Sequence, residues 1–518
     1  MSHREFSDSL QTVLAHISNR DASLHSLPTL PTPADITATL RSLPASLPDN
    51  GLGTSSTITH LLENIFSGIL QAQNGPRYFG FVIGGVTPAA QLAEILATSY
   101  DENVQVNLGE ETASVAIEQR VLELVLDLLQ IERDTFMGRT ITTGATASNM
   151  LGLSCARNHL YSTSSTLPPN YSFSQDGPPP SPFPIKILAL HPHFSISKAA
   201  SFIGLGGGPS VIQSMPAQEG DEVAFDLEKL EERLKVESVP GEKGVIVVYG
   251  VGEVNTGAFG GDLSGVAKLC REYGAWLHVD AAFGGFAGLM PELRRFTQAM
   301  DQADSLTLDA HKWLQAPYDA GLFYTRHTSS LTSVFQPPSS SAPAYLSGQA
   351  SSSNQEGDPS IAGTVTGGDI PSPLFVGIEN SRRFRALPLL ASLLSLGRDG
   401  YEEVITRNIL FARKVAEYIN ASPHYTLINT TPSSPSASSQ PIIPSNIVLF
   451  THNSLPTPTL TSKINGTRKM YVSKTVWRGK GAARLAVSNW RTGLEGEGDG
   501  DWEVVRGVLE SIEAGEGV

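Results

Sequence analysis

The chain has 518 residues, several times the usual length of one domain, so we expect two or three domains around a large buried core. Its 36 lysines and arginines against 51 aspartates and glutamates give a net charge of −15, which argues against nucleic acid and anionic membrane surfaces as partners. Its two cysteines, Cys155 and Cys270, exclude a disulfide framework and a multi-cysteine metal site. No apolar stretch reaches the roughly 18 residues of a membrane-spanning helix. The first ten residues lack the apolar core of a signal peptide, so we expect a cytoplasmic enzyme.

The pattern of elements predicts an α/β protein with a mostly parallel sheet. The first 70 or so residues read as helical pieces broken by prolines. Short apolar runs rich in β-branched residues predict buried strands at residues 185–190, 244–249, 275–279 and 305–308. Helical spacing at residues 227–234 and 263–273 separates them, as in parallel sheets built from right-handed crossovers.

The last part of the chain predicts a smaller domain. Helical patterning runs from about residue 381 to 419, and apolar runs at 446–450 and 483–487 then predict a small α+β domain. We therefore predict a helical segment at 1–100, a large α/β domain at 101–380 and a small domain at 381–518. Stretches rich in serine and proline near 162–184 and 430–445 read as surface loops, and the one near 336–363 is either functional or disordered.

A lysine follows the fourth predicted strand in the segment Asp309-Ala310-His311-Lys312-Trp313. Polar groups at the carboxyl ends of parallel strands line the ligand crevice of open α/β sheets. A lysine in such a place forms a Schiff base when burial or a cationic neighbour lowers the pKa of its ammonium group. For this lysine taken alone, a surface residue at a strand end is the simpler interpretation.

Three further segments place chemistry at predicted strand ends. Asp280 ends an apolar strand and is followed by small residues, so it either pairs with a protonated pyridine nitrogen or caps a helix. The run 142–149 presents small residues and hydroxyls at a helix start, where free N–H groups bind phosphate. His193 follows another strand, and it either stacks on a planar cofactor or is a loop histidine.

Together these segments supply phosphate donors, a stacking imidazole, an acid for a ring nitrogen and an amine for an aldehyde. Pyridoxal phosphate is the common cofactor that needs this set. No metal site is predicted, since His191 and His193 have no cysteine or carboxylate cluster near them in the sequence.

These residues resemble the group II pyridoxal-phosphate-dependent amino-acid decarboxylases, which include the aromatic-L-amino-acid, glutamate, cysteine-sulfinate and 2,4-diaminobutyrate decarboxylases. The resemblance runs from about residue 77 to 492. Its most specific parts are the lysine segment and His278-Val279-Asp280-Ala281-Ala282, and residues 381–387 and 487–492 match later signatures. It implies the fold of type I pyridoxal-phosphate enzymes, like that of aspartate aminotransferase, and a homodimer with a small-molecule amino-acid substrate.

The resemblance also implies roles for individual residues. Lys312 matches the Schiff-base lysine, Asp280 the partner of the ring nitrogen, His193 the stacked histidine and Ala282 the residue on the opposite ring face. The residues that match phosphate ligands are Ala145, Thr146 and His311. Tyr345 falls where the family carries a mobile-loop tyrosine that returns a proton to the substrate carbon.

The expected reaction is decarboxylation of an L-amino acid to its amine. If oxygen captures the carbanion, as in relatives without the loop tyrosine, an aldehyde forms instead. Another carbon–carbon lyase on the same fold and a non-catalytic scaffold are the remaining alternatives. The family pocket for the substrate side chain corresponds to Tyr78, Phe79 and Phe81, which either bind an apolar or aromatic side chain or belong to the core.

One departure from the family pattern concerns the cofactor. Glu253-Val254 stands where much of the family has Thr-Thr, next to the phenolic oxygen of the cofactor. The change either alters the chemistry there or reflects neutral drift.

Overall fold

The structure is a computed structural model that describes residues 3–335, 370–430, 442–493 and 499–515. The chain forms two compact units. The first unit comprises Met1–Gly85 and Arg407–Val518, and the second comprises Val86–Thr406. The domain boundaries predicted from the sequence stay a prediction.

The helices and strands follow in chain order, with short 3₁₀ and π turns omitted. The helices are α1 (His3–Ser23), α2 (Pro33–Ser42), α3 (Thr54–His60), α4 (Pro88–Tyr100), α5 (Ser114–Leu129), α6 (Ala145–Ser162), α7 (Phe173–Asp176), α8 (Phe194–Phe202), α9 (Leu227–Glu237), α10 (Leu263–Tyr273), α11 (Thr328–Phe335), α12 (Ala386–Ala421, interrupted at Gly397), α13 (Thr457–Gly466) and α14 (Asp499–Glu513). The strands are β1 (Gly138–Thr142), β2 (Ile185–Ala189), β3 (Ile212–Ser214), β4 (Ala217–Gln218), β5 (Asp221–Phe225), β6 (Gly244–Gly250), β7 (Trp276–Asp280), β8 (Ser305–Asp309), β9 (Gly321–Thr325), β10 (Tyr425–Leu427), β11 (Ile447–His452), β12 (Ser473–Trp477) and β13 (Lys480–Ala486). None of the helices in the described ranges is long and apolar enough to cross a membrane.

The second unit is built on a seven-stranded sheet in the order β1-β9-β8-β7-β6-β2-β3. The pairs from β3 through β2, β6 and β7 to β8 are parallel, and β9 pairs antiparallel with both β8 and β1. All five positions of β8 and the first six of β6 are buried, as expected of strands covered on both faces. The predicted α/β class, the four strands and the helices near 227–234 and 263–273 are confirmed.

The pairing register brings the carboxyl ends of three strands to one edge of this sheet. Gly250, at the end of β6, lies opposite Asp280, at the end of β7. Asp280 in turn lies opposite Thr307 of β8, two residues before Asp309. Side chains that follow these strands therefore converge, as the sequence predicts.

The first unit combines helices with an antiparallel sheet in the order β10-β11-β13-β12. Its apolar core joins Phe79 and the part of α12 from Phe411 onward to β11, β13 and α14. Arg77 forms an ion pair with the fully buried Asp501, at 2.7 Å, which ties the N-terminal segment to α14. The helical N-terminus and the α+β character of the C-terminal residues are confirmed.

Close backbone packing at Gly321 predicts a destabilising substitution. Gly321 begins β9, and a Cβ atom there would lie 2.5 Å from the carbonyl carbon of Gly144, which precedes α6. Because that neighbour is backbone, Gly321→Ala should lower the free energy of unfolding of the second unit by about 1–3 kcal/mol. Urea unfolding should show a lower midpoint, whereas Gly208→Ala, an exposed position with no atom within 4 Å of the added carbon, should not. A wild-type midpoint for Gly321→Ala would contradict the packing.

Candidate active site

A cavity of about 360 Å³ opens at the edge of the second unit's sheet where β6, β7 and β8 end. It lies where ligands bind in open α/β folds. Seven residues predicted from the sequence line it: Ala145, Thr146, His193, Asp280, Ala282, His311 and Lys312. The structure therefore brings the four separate sequence segments to one place.

Lys312 is held beside a carboxylate that the sequence analysis did not single out. Its Nζ lies 3.2 Å from Oδ2 of Asp309, and the Asp309 side chain is 4% exposed. The other oxygen, Oδ1, lies 3.5 Å from Nδ1 of His311. Burial lowers the pKa of His311, whose ring packs against Tyr318 with centroids 4.3 Å apart and the two planes tilted by 31°. Asp309 thus faces both residues of the motif that follows it.

Asp280 lines the cavity, and both of its carboxylate oxygens accept hydrogen bonds. Oδ2 accepts a hydrogen bond from Nδ2 of Asn149 at 2.9 Å, and Oδ1 accepts one from the backbone N–H of Ala282 at 3.2 Å. Among the described residues Asp280 has no cation within ion-pair distance. A partly buried carboxylate of this kind fits a positively charged group on a ligand.

The N-terminus of α6 forms another wall of the cavity. Gly144, Ala145, Thr146 and Ala147 all line it, and the helix has 18 residues. The N–H of Ala145 donates to Oδ1 of Asp309 at 2.9 Å. The next two N–H groups have no intrahelical partner, and the described residues offer them no acceptor, so the helix start remains suited to an anionic group.

His193 caps α8 at the cavity. Its Nδ1 lies 2.8 Å from Oγ of Ser195 and accepts the backbone N–H of Ser195 at 3.2 Å. These two contacts with the first turn of α8 fix the orientation of the imidazole plane. The predicted stacking role of His193 stays a prediction.

A buried histidine beneath the site was not predicted as functional. His278 on β7 is fully buried, and burial lowers its pKa to about 4, so it is neutral at physiological pH. Its Nε2 lies 3.0 Å from Oδ1 of Asn149. The ring occupies space that α6 leaves at Gly152, where a Cβ atom would lie 2.3 Å from Cε1. The sequence signal that could have identified His278 is its position on β7, two residues before Asp280.

The departure at Glu253 has a local structural explanation. Its carboxylate accepts hydrogen bonds from the backbone and side chain of Asn255, and from the backbone and hydroxyl of Thr256, at 2.8 to 3.0 Å. Glu253 and Val254 both line the cavity. Glu253 therefore holds the turn that forms this wall, and it adds a negative charge there.

Other predicted residues lie elsewhere. Tyr78, Phe79 and Phe81 belong to the first unit: Tyr78 stacks on Tyr471 with centroids 4.6 Å apart, Phe79 lies in the core of that unit, and Phe81 is exposed. Their role in substrate binding stays a prediction. Tyr345 lies outside the described residues.

Comparison with known proteins shows which family the chain belongs to. The family model for the pyridoxal-dependent decarboxylase conserved domain matches residues 37–436. The chain belongs to the pyridoxal-dependent decarboxylase family. Its cofactor is pyridoxal phosphate, and it is a carboxy-lyase that acts on amino acids.

Named relatives of this decarboxylase include enzymes with two kinds of product. The aromatic-L-amino-acid decarboxylase of Bacillus atrophaeus is 25% identical over 386 residues, which cover 74% of this chain and 72% of that one. The phenylacetaldehyde synthase of Arabidopsis thaliana is 24% identical over 393 residues, covering 74% and 72%. The solved structure of Oryza sativa TDC with PLP and tryptamine covers 99% of this chain and 98% of that one, with a TM-score of 0.77 and 21% identity, and confirms the fold.

The residues of this decarboxylase fit pyridoxal phosphate. Asp280 is a carboxylate without a cationic partner among the described residues, and the start of α6 offers N–H groups that none of those residues accepts from. Nδ1 of His311 is buried without a hydrogen-bond partner in the described part of the chain. The cavity thus offers a group for the ring nitrogen, donors for the phosphate and an amine for the aldehyde.

Proposed function

We propose that this protein converts an L-amino acid with an apolar or aromatic side chain to its amine and carbon dioxide, with Lys312 as the residue that carries the cofactor. The observation that carries this proposal is the meeting of Lys312, Asp280 and the start of α6 around one cavity at the strand ends. Bound pyridoxal phosphate supplies an aldehyde that condenses with amines and a ring that accepts an electron pair.

Lys312 and Asp309 act as a pair in this proposal. Oδ2 of Asp309 lies 3.2 Å from Nζ in an ion pair, which orients the lysine while its amine is free. Because the carboxylate also accepts the N–H of Ala145, it is fixed relative to the helix that binds the phosphate. The amine and the phosphate donors are therefore positioned by one side chain.

Asp280 supplies the electrostatic part of the mechanism. Its carboxylate keeps a facing ring nitrogen protonated, because a negative charge stabilises a positive one most in a site shielded from water. Preorganised charge of this kind is usually the largest contribution to catalysis. His193 is proposed to lie against the ring, with Ala282 on the opposite face.

The charges of the cavity favour a substrate without an acidic side chain. Among its described lining residues the only lysine or arginine is Lys312, whereas Glu253, Asp280 and Asp309 are carboxylates. Arg382, in the segment 381–387, forms a buried ion pair with Glu118 and does not line this cavity. The aromatic-L-amino-acid decarboxylase among the relatives supports the same substrate class.

Formation of an aldehyde is the second candidate function. The phenylacetaldehyde synthase among the relatives favours it. The tyrosine at position 345 supports the amine, because in the family this residue returns a proton to the substrate carbon.

A homodimer is also part of the proposal. Phe6, Leu10 and Leu14 repeat at four-residue spacing along α1 and are 52%, 39% and 42% exposed. Residues at this spacing share one helix face, so they form an apolar stripe that a second copy of the chain would cover.

Substitution of the two central residues should separate cofactor attachment from charge stabilisation. Lys312→Ala should abolish the visible absorption of the bound cofactor. Asp280→Ala should retain that absorption when cofactor is in excess and lower kcat about 100- to 1,000-fold, the loss typical of one preorganised group. Absorption spectra and carbon dioxide release are the measurements. Unchanged turnover in Asp280→Ala, or unchanged colour in Lys312→Ala, would remove these roles.

A substrate panel should identify side chain and product together. Carbon dioxide release from L-tryptophan, L-tyrosine and L-phenylalanine should exceed release from L-glutamate by at least about tenfold, since an anionic side chain without a cationic partner costs more than about 1.4 kcal/mol. Amine should equal carbon dioxide. Stoichiometric ammonia and peroxide would instead establish the aldehyde-forming reaction.

Charge placed on the apolar stripe should dissociate the dimer. The double variant Leu10→Glu/Leu14→Glu should sediment as a monomer at concentrations where the wild type sediments as a dimer, because each buried leucine contributes about 1.5–3 kcal/mol. Gln11→Glu, an exposed position between them in sequence, serves as the control. A dimer that withstands the double variant would place the contact elsewhere.

A further inference from the structure

A chain of hydrogen bonds runs beneath Asp280 into the core of the second unit. Trp276 donates from Nε1 to Oγ of Ser305 at 2.9 Å, and that oxygen lies 2.8 Å from Nδ1 of His278. Nε2 of His278 lies 3.0 Å from Oδ1 of Asn149, whose Nδ2 reaches Oδ2 of Asp280 at 2.9 Å. Four of the five side chains are fully or almost fully buried. Each contact therefore has a required donor and a required acceptor.

The direction of the chain follows from its outer end. An ionised carboxylate only accepts hydrogen bonds, so the NH₂ group of Asn149 must face Asp280. The amide oxygen then faces His278, and Nε2 of that histidine must donate. The proton of His278 therefore lies on Nε2.

The inner end is consistent with the same direction. An indole N–H only donates, so Oγ of Ser305 accepts from Trp276 and its hydroxyl proton is available for His278. His278 is neutral, because burial lowers its pKa to about 4, and it carries one ring proton. With that proton on Nε2, Nδ1 is the acceptor that the Ser305 hydroxyl requires.

Asn149 also connects this chain to His193. Its second amide hydrogen is directed to Oγ of Ser195 at 3.0 Å. Ser195 accepts there, and its own hydroxyl donates to Nδ1 of His193 at 2.8 Å. The backbone N–H of Ser195 donates to the same nitrogen, so Nδ1 is an acceptor and the ring proton of His193 lies on Nε2.

We propose that Asn149 is a positioning residue that sets the orientation of the Asp280 carboxylate and the proton position of His193. One amide donates to Asp280, and through Ser195 it keeps the His193 proton on Nε2. The inference rests on the proposed function, because it assigns these states to the two residues that face the cofactor ring.

The role of Asn149 has a consequence for ligand preference. A hydrogen bond from Asn149 fixes the Asp280 carboxylate in one orientation, and a carboxylate held in place favours a ring that carries a protonated nitrogen. Loss of the bond should therefore weaken the binding of such a ring more than that of a ring of the same shape without the nitrogen. A purely structural role would weaken both equally.

The experiment compares pyridoxal phosphate with its analogue in which CH replaces the ring nitrogen, both bound to the full chain freed of cofactor. Wild type should bind pyridoxal phosphate more tightly, and Asn149→Leu should reduce that preference about 10- to 100-fold, as for loss of a hydrogen bond to a charged group. Asn158→Leu is the matched control, because Asn158 lies on the same helix and makes hydrogen bonds to Ser174 and Ser333 instead. An unchanged preference in Asn149→Leu would overturn the inference, whereas failure of the wild type to bind either ligand would overturn the proposed function.

Nitrogen NMR of the histidines in the wild-type holoenzyme gives a second measurement that does not depend on the folding of Asn149→Leu. His193 and His278, assigned by His193→Gln and His278→Gln, should both carry their proton on Nε2. Ser195→Ala should shift the Nδ1 signal of His193, because that nitrogen loses one of its two donors, and should leave the ligand preference intact. A proton on Nδ1 of either histidine in the wild type would overturn the inference.

Discussion

Parallel pairing of β6, β7 and β8 is the constraint on which the site depends. In a parallel sheet, neighbouring strands end at the same edge, and the register here sets Gly250 beside Asp280 and Asp280 beside Thr307. The acid and the lysine segment, about 30 residues apart in the sequence, are brought together by the backbone before any side chain contributes. The helix that follows β1 then brings its N–H groups to the same edge.

Two carboxylates, Asp309 and Asp280, lie at that edge and make different contacts. Asp309 forms an ion pair with Lys312 and accepts the first N–H of α6, so it links the lysine to the start of that helix. Asp280 is held by Asn149 and Ala282, and it lines the same cavity. A carboxylate in a partly buried site is stable only with such donors, and each of the two has them from a different part of the fold.

The sequence predicted the parts of this arrangement that depend on local pattern. Apolar runs ending in Asp280 and shortly before Lys312 marked strand ends, and their spacing around helices indicated the parallel sheet. Asn149 was counted only within a phosphate-binding run, because its partner Asp280 lies 131 positions away and nothing local shows that contact. Glu253 differs again: its partners follow it by two and three residues, yet hydrogen bonds within a turn leave no periodic pattern. The placement of Tyr78 and Phe79 also depends on packing, here on Tyr471 and Phe411, which sequence spacing does not reveal.

The absent side chain of Gly152 has a consequence for how this site could diversify. The imidazole of His278 fills the volume that a larger side chain at position 152 of α6 would occupy. The side chains at positions 152 and 278 therefore have complementary volumes. A larger residue at 152 alone would clash with His278, and a smaller residue at 278 alone would leave a cavity. A variant that replaces the imidazole of His278 with a smaller group would also need a larger residue at position 152. A different polar group at this place therefore requires substitutions at both positions.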